Sequence, residues 1–156
     1  MRTMILIAAL LATTSVAAAE TMYYGSRAGM VVTVVKKSNL NSTHAKITVK
    51  HTKENATAFC REYVQKVTPK CIADTLAEGK ELRTEISANC RTGKFTTLYG
   101  QGYVFRGPNP NCDPTGVSTE YLLYQVGEQE PLDGSMASGY PVALEQFKAL
   151  CPKRVD

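Results

Sequence analysis

The sequence predicts an α+β fold: a mostly antiparallel five- to six-stranded sheet, a disulfide-clamped helical hairpin and a C-terminal helix. Apolar residues alternate with polar ones along several short segments, which is typical of strands. Two neighbouring segments carry apolar residues at helical spacing instead. The overall composition, 44% apolar and 21% charged, is that of an ordinary globular domain. Five cysteines are available to brace it.

The first 19 residues have the pattern of a secretory signal peptide. Arg2 gives a positive start, residues 4–12 form an apolar run, and alanines at 17–19 supply the small residues that precede cleavage before Glu20. A membrane anchor is the alternative interpretation. The apolar run is much shorter than the roughly 20 residues that a spanning helix needs, so we favour a cleaved leader over residues 1–19.

Residues 20–156 are predicted to form a single α+β domain. This part of the chain has 137 residues with 17 basic and 14 acidic side chains. Nucleic-acid binders concentrate many more lysines and arginines on one face, so we expect no nucleic-acid partner. We expect a periplasmic or secreted protein with no integral membrane segment after removal of the leader, whose small positive excess suits an anionic envelope surface or acidic polymer.

Disulfide bonds are the expected state of the cysteines, because an exported chain folds in an oxidising environment. Cys60 and Cys71 flank a break between two helical segments, which predicts a bond that clamps a helical hairpin. Cys90 ends a predicted strand and Cys151 ends the last helix, so a second bond would tie the C-terminus to the sheet. Cys112 is then a free thiol, or it links two chains in a dimer. Pairing of Cys90 with Cys112 stays open as an alternative.

Local patterns place the elements in order. Residues 30–35 are β-branched and apolar on both faces, and residues 45–50 alternate, which predicts the first two strands. Thr52 is a predicted N-cap for a helix over 53–65, and Thr68 precedes a second helix that opens with a proline.

The second half of the chain predicts a meander followed by a helix. Strands are expected over 82–90, 95–99, 103–106 and 121–126, and a helix over about 142–150. We expect all three helices to cover one side of the sheet.

No combination of residues makes a convincing catalytic or metal site, so we expect no enzyme activity, no metal and no cofactor. No two cysteines have C-x2-C spacing, and His44 and His51 lie far from them in sequence. Ser138 lacks the G-x-S-x-G context of a nucleophile elbow. A small hydrolase or thiol enzyme that uses Cys112 or Ser138 with a histidine is one alternative hypothesis.

Tyrosine is the aromatic residue to examine, since the chain has eight tyrosines and no tryptophan. Four of them fall on the predicted meander or last strand: Tyr99, Tyr103, Tyr121 and Tyr124. If several share one open face, that face would stack on sugars or pack against a partner. We favour core packing with the hydroxyl groups at the rim over such an open face.

Four motifs resemble those of a group of small exported alphaproteobacterial proteins of unknown function. They are Phe59-Cys-Arg-Glu-Tyr-Val64, Ala88-Asn-Cys-Arg-Thr-Gly-Lys-Phe95, Tyr103-Val-Phe-Arg-Gly107 and Ala149-Leu-Cys-Pro152, and the similarity covers residues 24–152. The group has no assigned activity, so the resemblance implies no catalytic residue. A cysteine in the loop of Cys112 is not a feature of the group, which agrees with a spare thiol.

The expected function is that of a non-catalytic, disulfide-stabilised binding or envelope-associated protein, whose partner is an unknown envelope protein or polymer. Ser138-Gly139-Tyr140 is similar to the serine-glycine loop that bacterial periplasmic lysozyme inhibitors insert into their target, although those proteins are β-barrels without a helical hairpin. An inhibitor of a secreted hydrolase such as lysozyme, acting through residues 133–140, is therefore a second alternative hypothesis.

Overall fold

Seven strands form one antiparallel sheet in the computed structural model, which describes residues 19–112 and 118–155. The strands are β1 (Thr21–Tyr23), β2 (Val31–Ser38), β3 (Ala45–Lys50), β4 (Glu85–Asn89), β5 (Lys94–Thr96), β6 (Gly102–Pro108) and β7 (Tyr121–Gln125). Their order in the sheet is their order in the chain. The predicted five or six strands are therefore too few. The strand that was missed is β1, because three residues are too short to show an alternating pattern.

Three α-helices accompany the sheet in the described part of the chain: α1 (Lys53–Glu62), α2 (Pro69–Glu78) and α3 (Tyr140–Leu150). Thr52 begins α1 with a capping box, in which the Thr52 and Asn55 side chains each accept the other residue's backbone N–H. The helix ends earlier than predicted, because Gln65 adopts a left-handed conformation with φ of 58°. No helix in the described ranges is long and apolar enough to cross a membrane. Residues 1–18 of the predicted leader lie outside those ranges.

The core lies between one face of the sheet and α3. Phe147 occupies its centre, with its ring centroid 4.5 Å from that of Phe105 and 5.0 Å from that of Phe95. The alternation predicted for β3 is present, since Ala45, Ile47 and Val49 are all buried. We call this the inner face of the sheet. Other fully buried side chains of the core are Val32, Ile86, Leu98, Leu123 and Leu150.

The helical hairpin α1–α2 lies against the outer face at β2. Val32 points into the core, so the neighbouring Thr33 points away from it. The Thr33 hydroxyl donates a hydrogen bond to Oδ1 of Asn55 on α1, at 3.1 Å. A Cβ on Gly29 would lie 2.6 Å from Cα of Phe59, so the turn before β2 also approaches α1 closely. The prediction that all helices cover one side of the sheet is wrong. β2 is covered on both faces, because Val32 packs into the core and Thr33 contacts α1 on the opposite face.

Two disulfide bonds brace this architecture. Cys60 and Cys71 join α1 to α2 with their Cα atoms 6.1 Å apart, so the hairpin is clamped as predicted. Cys90 and Cys151 join the end of β4 to the end of α3 with their Cα atoms 5.5 Å apart. Cys112 is an exposed free thiol, and the alternative bond between Cys90 and Cys112 is not formed.

Candidate functional site

A cleft opens where four segments of the chain meet: the loop after β1, the β5–β6 turn, the loop before α3 and the first turns of α3. It consists of two cavities of 150 and 290 Å³. Both cavities are lined by Gly25, Ser26, Met136 and Val142, so they adjoin. We call this site the tyrosine cleft, because Tyr24, Tyr99 and Tyr103 line its smaller cavity.

Gln146 of α3 holds the floor of the tyrosine cleft. Its side chain is buried, and its Oε1 accepts a hydrogen bond from the backbone N–H of Leu98 at 3.1 Å. Its Nε2 donates to the backbone carbonyl of Tyr23 at 2.9 Å. A buried amide destabilises a fold unless both of its ends are paired, and here both are. Gln146 therefore fixes the β5–β6 turn relative to β1.

The three cleft tyrosines supply protonated hydroxyl groups. Burial, together with the smaller effects of the neighbouring Tyr99 and Glu78, raises the pKa of Tyr24 to about 12. Burial also raises the pKa of Tyr99 and of Tyr103. The Tyr103 hydroxyl donates to Oε1 of Gln101 at 3.0 Å. At neutral pH all three hydroxyls are therefore neutral and able to donate hydrogen bonds.

The rim of the tyrosine cleft is apolar and accessible. Tyr99 is 50% exposed and Met136 is 54% exposed, and both line the smaller cavity. The Tyr24 ring lies edge-on to Tyr99, with a centroid distance of 6.2 Å. Exposed apolar groups above a few placed polar groups are typical of ligand sites.

The loop that presents Met136 is braced by its own side chains. The Asp133 carboxylate accepts from the Ser135 N–H at 2.9 Å. The Ser138 hydroxyl donates to the Ser135 carbonyl at 2.8 Å and accepts from the Tyr140 N–H at 3.3 Å. Hydrogen bonds from Ser135, and then from Ser138, lower the pKa of Asp133. Met136 is thus held in place at the rim.

Charged groups line the larger cavity. Arg27 and Glu145 both contribute to its wall. Burial raises the pKa of Glu145, while a hydrogen bond with the Tyr23 backbone opposes that change. A guanidinium and a carboxyl group at this end suit a ligand with several polar groups.

His51 supports the cleft from behind. Its ring lies 5.5 Å from that of Tyr24, edge to face, and neither of its ring nitrogens has a hydrogen-bond partner among the residues that the structure describes. Burial lowers the pKa of His51, so the ring is neutral at pH 7. A Cβ on Gly79 would overlap this ring, which explains the glycine after α2. The role of His51 is to pack against Tyr24.

Within the described ranges, the groups of the hydrolase or thiol-enzyme hypothesis are not joined to one another by hydrogen bonds. Nδ1 of His44 shares a hydrogen bond with Oγ1 of Thr43 at 2.8 Å, and the Ser138 hydroxyl is bound within its own loop. Cys112 is exposed, and no hydrogen bond within the described ranges joins it or Ser138 to a histidine. The same ranges contain no group of three or more His, Cys, Asp or Glu placed to hold a metal.

The four tyrosines singled out in the sequence do not share one face. Tyr99 and Tyr103 lie in the tyrosine cleft. Tyr121 is buried, and its backbone N–H and carbonyl both bond to the Tyr140 hydroxyl at 3.1 Å. Tyr124 lines a groove on the outer face of the sheet. The alternative of a single open tyrosine face is therefore wrong, whereas the favoured core packing holds for Tyr103 and Tyr121, which are both buried. Only Tyr99 and Tyr103 contribute to the cleft.

The outer groove is larger than the tyrosine cleft but differs in character. Its two cavities measure 420 and 600 Å³ and are both lined by Lys94 and Val126. Its other lining residues lie on β3 to β7 and in the loops beside these strands, and they include the charged residues Lys46, Arg106 and Glu128. The tyrosine cleft is the better candidate because the buried Gln146 amide beneath it is hydrogen-bonded at both ends, and because Tyr99 and Met136 are exposed at its rim. No protein-family model, curated protein or solved structure matches this chain.

Proposed function

We propose that this protein is a non-catalytic, disulfide-stabilised binding protein of the cell envelope, and that the tyrosine cleft binds a saccharide segment of an envelope polymer. The observation that carries the proposal is the exposed rim of Tyr99 and Met136 beside the hydroxyls of Tyr24 and Tyr103. A sugar ring has an apolar face that packs on aromatic and thioether groups, and hydroxyl groups that need hydrogen-bond partners. The cleft offers both.

The two disulfide bonds support a location outside the cytoplasm. Such bonds persist in oxidising compartments and are rare in the cytosol. The leader pattern of residues 1–19 and the resemblance to small exported alphaproteobacterial proteins agree with this location. We therefore propose a periplasmic or secreted protein of that group.

Replacing Tyr99 with alanine is expected to weaken saccharide binding about fivefold, because an aromatic packing contact contributes on the order of 1 kcal/mol. The probe is chitotetraose, a soluble oligomer of N-acetylglucosamine, titrated by calorimetry and by saturation-transfer NMR. Tyr124→Ala is the matched control, because it removes the same side chain from the outer face of the sheet. It should bind the probe like the unchanged protein.

Two results would contradict the cleft as a saccharide site. One is the absence of saturation transfer from the protein to chitotetraose and to soluble glycan fragments of the cell wall at millimolar concentration. The other is equal loss of affinity in the Tyr99→Ala and Tyr124→Ala variants.

The braced loop supports a second candidate function, inhibition of a secreted hydrolase such as lysozyme. A loop held by Asp133, Ser135 and Ser138 loses little freedom when it docks, and this favours tight binding. This candidate predicts inhibition of lysozyme at micromolar protein, and at least a tenfold weaker effect for Met136→Asp. Full lysozyme activity at that concentration would exclude it.

A further inference from the structure

We propose that the tip of the helical hairpin docks the protein on an anionic lipid surface. The hairpin tip is defined here as residues 61–70, between and including the ends of α1 and α2. Three large apolar side chains are exposed there: Tyr63 (47%), Val64 (44%) and Val67 (52%). No other five-residue stretch of the described chain exposes three such side chains.

The hairpin tip is held in one conformation, so this exposure is built in. The Lys66 N–H donates to the Cys60 carbonyl at 2.9 Å, and Gln65 takes the left-handed conformation that ends α1. Thr68 caps α2 by accepting from the N–H of Cys71 at 3.1 Å, and the disulfide closes the hairpin. These bonds hold the backbone of the tip in the conformation that exposes the three apolar side chains.

Basic side chains surround the apolar ones. Arg27 stacks on the Tyr63 ring, with its guanidinium carbon 4.9 Å from the ring centroid. Lys66 is exposed, and it is the basic residue of the tip that has no acidic partner in the described chain. Basic residues outnumber acidic ones around the tip: four are basic (Arg27, Arg61, Lys66 and Lys70) and two are acidic (Glu62 and Asp74). The surface thus carries a positive excess.

This combination fits a bilayer surface with anionic headgroups. Protruding apolar side chains enter the boundary between headgroups and acyl chains without needing a matching pocket, and tyrosine is favoured at that depth. Lysine and arginine remain at headgroup level and are attracted to anionic lipid, about fivefold in affinity for each residue. The disulfide-clamped hairpin would then hold the tyrosine cleft at a fixed distance from the membrane.

Co-sedimentation with lipid vesicles tests the proposal. The protein is recovered after export, and mass spectrometry verifies that the leader has been removed, because a retained apolar leader would bind lipid by itself. Vesicles contain phosphatidylcholine with about 30% phosphatidylglycerol, or phosphatidylcholine alone. We expect binding to the anionic vesicles that falls at least tenfold in 0.5 M salt or without the anionic lipid.

The double variant V64S/V67S should lose at least tenfold in vesicle binding. Both valines are exposed, so the fold is retained, which an unchanged thermal midpoint verifies. The matched control is Val35→Ser, which removes an exposed valine elsewhere. Gly29, before β2, lies near Phe59 at the tip end of α1, whereas Thr33 of β2 bonds to Asn55 near the start of α1. β2 therefore runs away from the tip, and Val35 lies farther from the tip than Thr33 does. The control should bind vesicles normally.

A fluorescence measurement gives an independent readout, because the chain contains no tryptophan. Tyr63→Trp should show a blue-shifted emission and quenching by brominated lipid when anionic vesicles are added. Val35→Trp should show neither change.

Three outcomes would overturn the proposal: no binding to anionic vesicles, equal binding by V64S/V67S, or no spectral response of Tyr63→Trp. Capture of a partner protein by the tip without lipid binding would overturn it as well, in favour of a protein interface. The chitotetraose titration contains no lipid, so failure at the tip and failure at the tyrosine cleft are separate results.

Discussion

Replacing Cys90 and Cys151 together with alanine is expected to lower the free energy of unfolding by about 4 kcal/mol. The two residues are 61 positions apart, and in the loop-entropy model a bond across that distance restricts the unfolded chain by about this amount. Both cysteines are buried, so alanine leaves no polar atom unpaired in the core. Urea unfolding followed by far-ultraviolet circular dichroism measures the change.

The effect is large relative to the total, because domains of this kind are stable by only about 5–15 kcal/mol. The contacts that remain at this end of α3 are individually modest. The Arg154 guanidinium donates to the carbonyls of Cys90 and Arg91, and the Lys153 N–H donates to Oδ1 of Asn41 at 2.9 Å. Each such bond contributes about 0.5–3 kcal/mol and is already present beside the disulfide, so none of them compensates for its loss.

The other disulfide provides the matched control. Cys60 and Cys71 are only 11 positions apart, and the same model gives about 3 kcal/mol for their replacement by alanine. The order of the two losses is therefore part of the prediction. A larger loss from the Cys60–Cys71 pair, or a loss below about 1 kcal/mol from Cys90–Cys151, would show that chain entropy is not the main contribution.

The elements that sequence patterns predicted well are those with local causes. The strand over 45–50 has its predicted bounds, because strict alternation of apolar and polar residues over six positions indicates a half-buried strand. Thr52 caps α1 as predicted, and α2 begins after Thr68 as predicted, with Thr68 as its cap; both capping bonds join residues three apart. The helical clamp also follows from local order, since Cys60 and Cys71 flank a single turn.

The tyrosine cleft depends on contacts that no local pattern contains. The bond between Gln146 and Tyr23 joins residues 123 positions apart, and Tyr24 follows a strand too short to be recognised. One signal was present: Gln146 occupies a position on the same stripe of α3 as Ala143 and Leu150, which are both buried. A single amide on an apolar helical stripe indicates a buried hydrogen-bonded role. The partner of that amide is still set by the tertiary fold.

Replacing Gln146 with leucine is expected to lower the free energy of unfolding by about 2–5 kcal/mol and to weaken saccharide binding. The size of leucine is similar, so the main change is the loss of two hydrogen bonds. The Leu98 N–H and the Tyr23 carbonyl would remain buried without partners, and each costs about 1–3 kcal/mol. Gln129→Leu makes the same chemical change at an exposed site and should alter stability by less than about 0.5 kcal/mol.

Amide hydrogen exchange separates the positioning role of Gln146 from a general loss of stability. If Gln146 fixes the β5–β6 turn, the Leu98 amide should exchange faster in Gln146→Leu by a larger factor than core amides such as that of Ile47. Gln146→Glu keeps an acceptor for Leu98 but removes the donor to Tyr23, so it should restore the Leu98 protection only in part. Equal acceleration at Leu98 and Ile47 would assign Gln146 to the core alone and remove it from the organisation of the cleft.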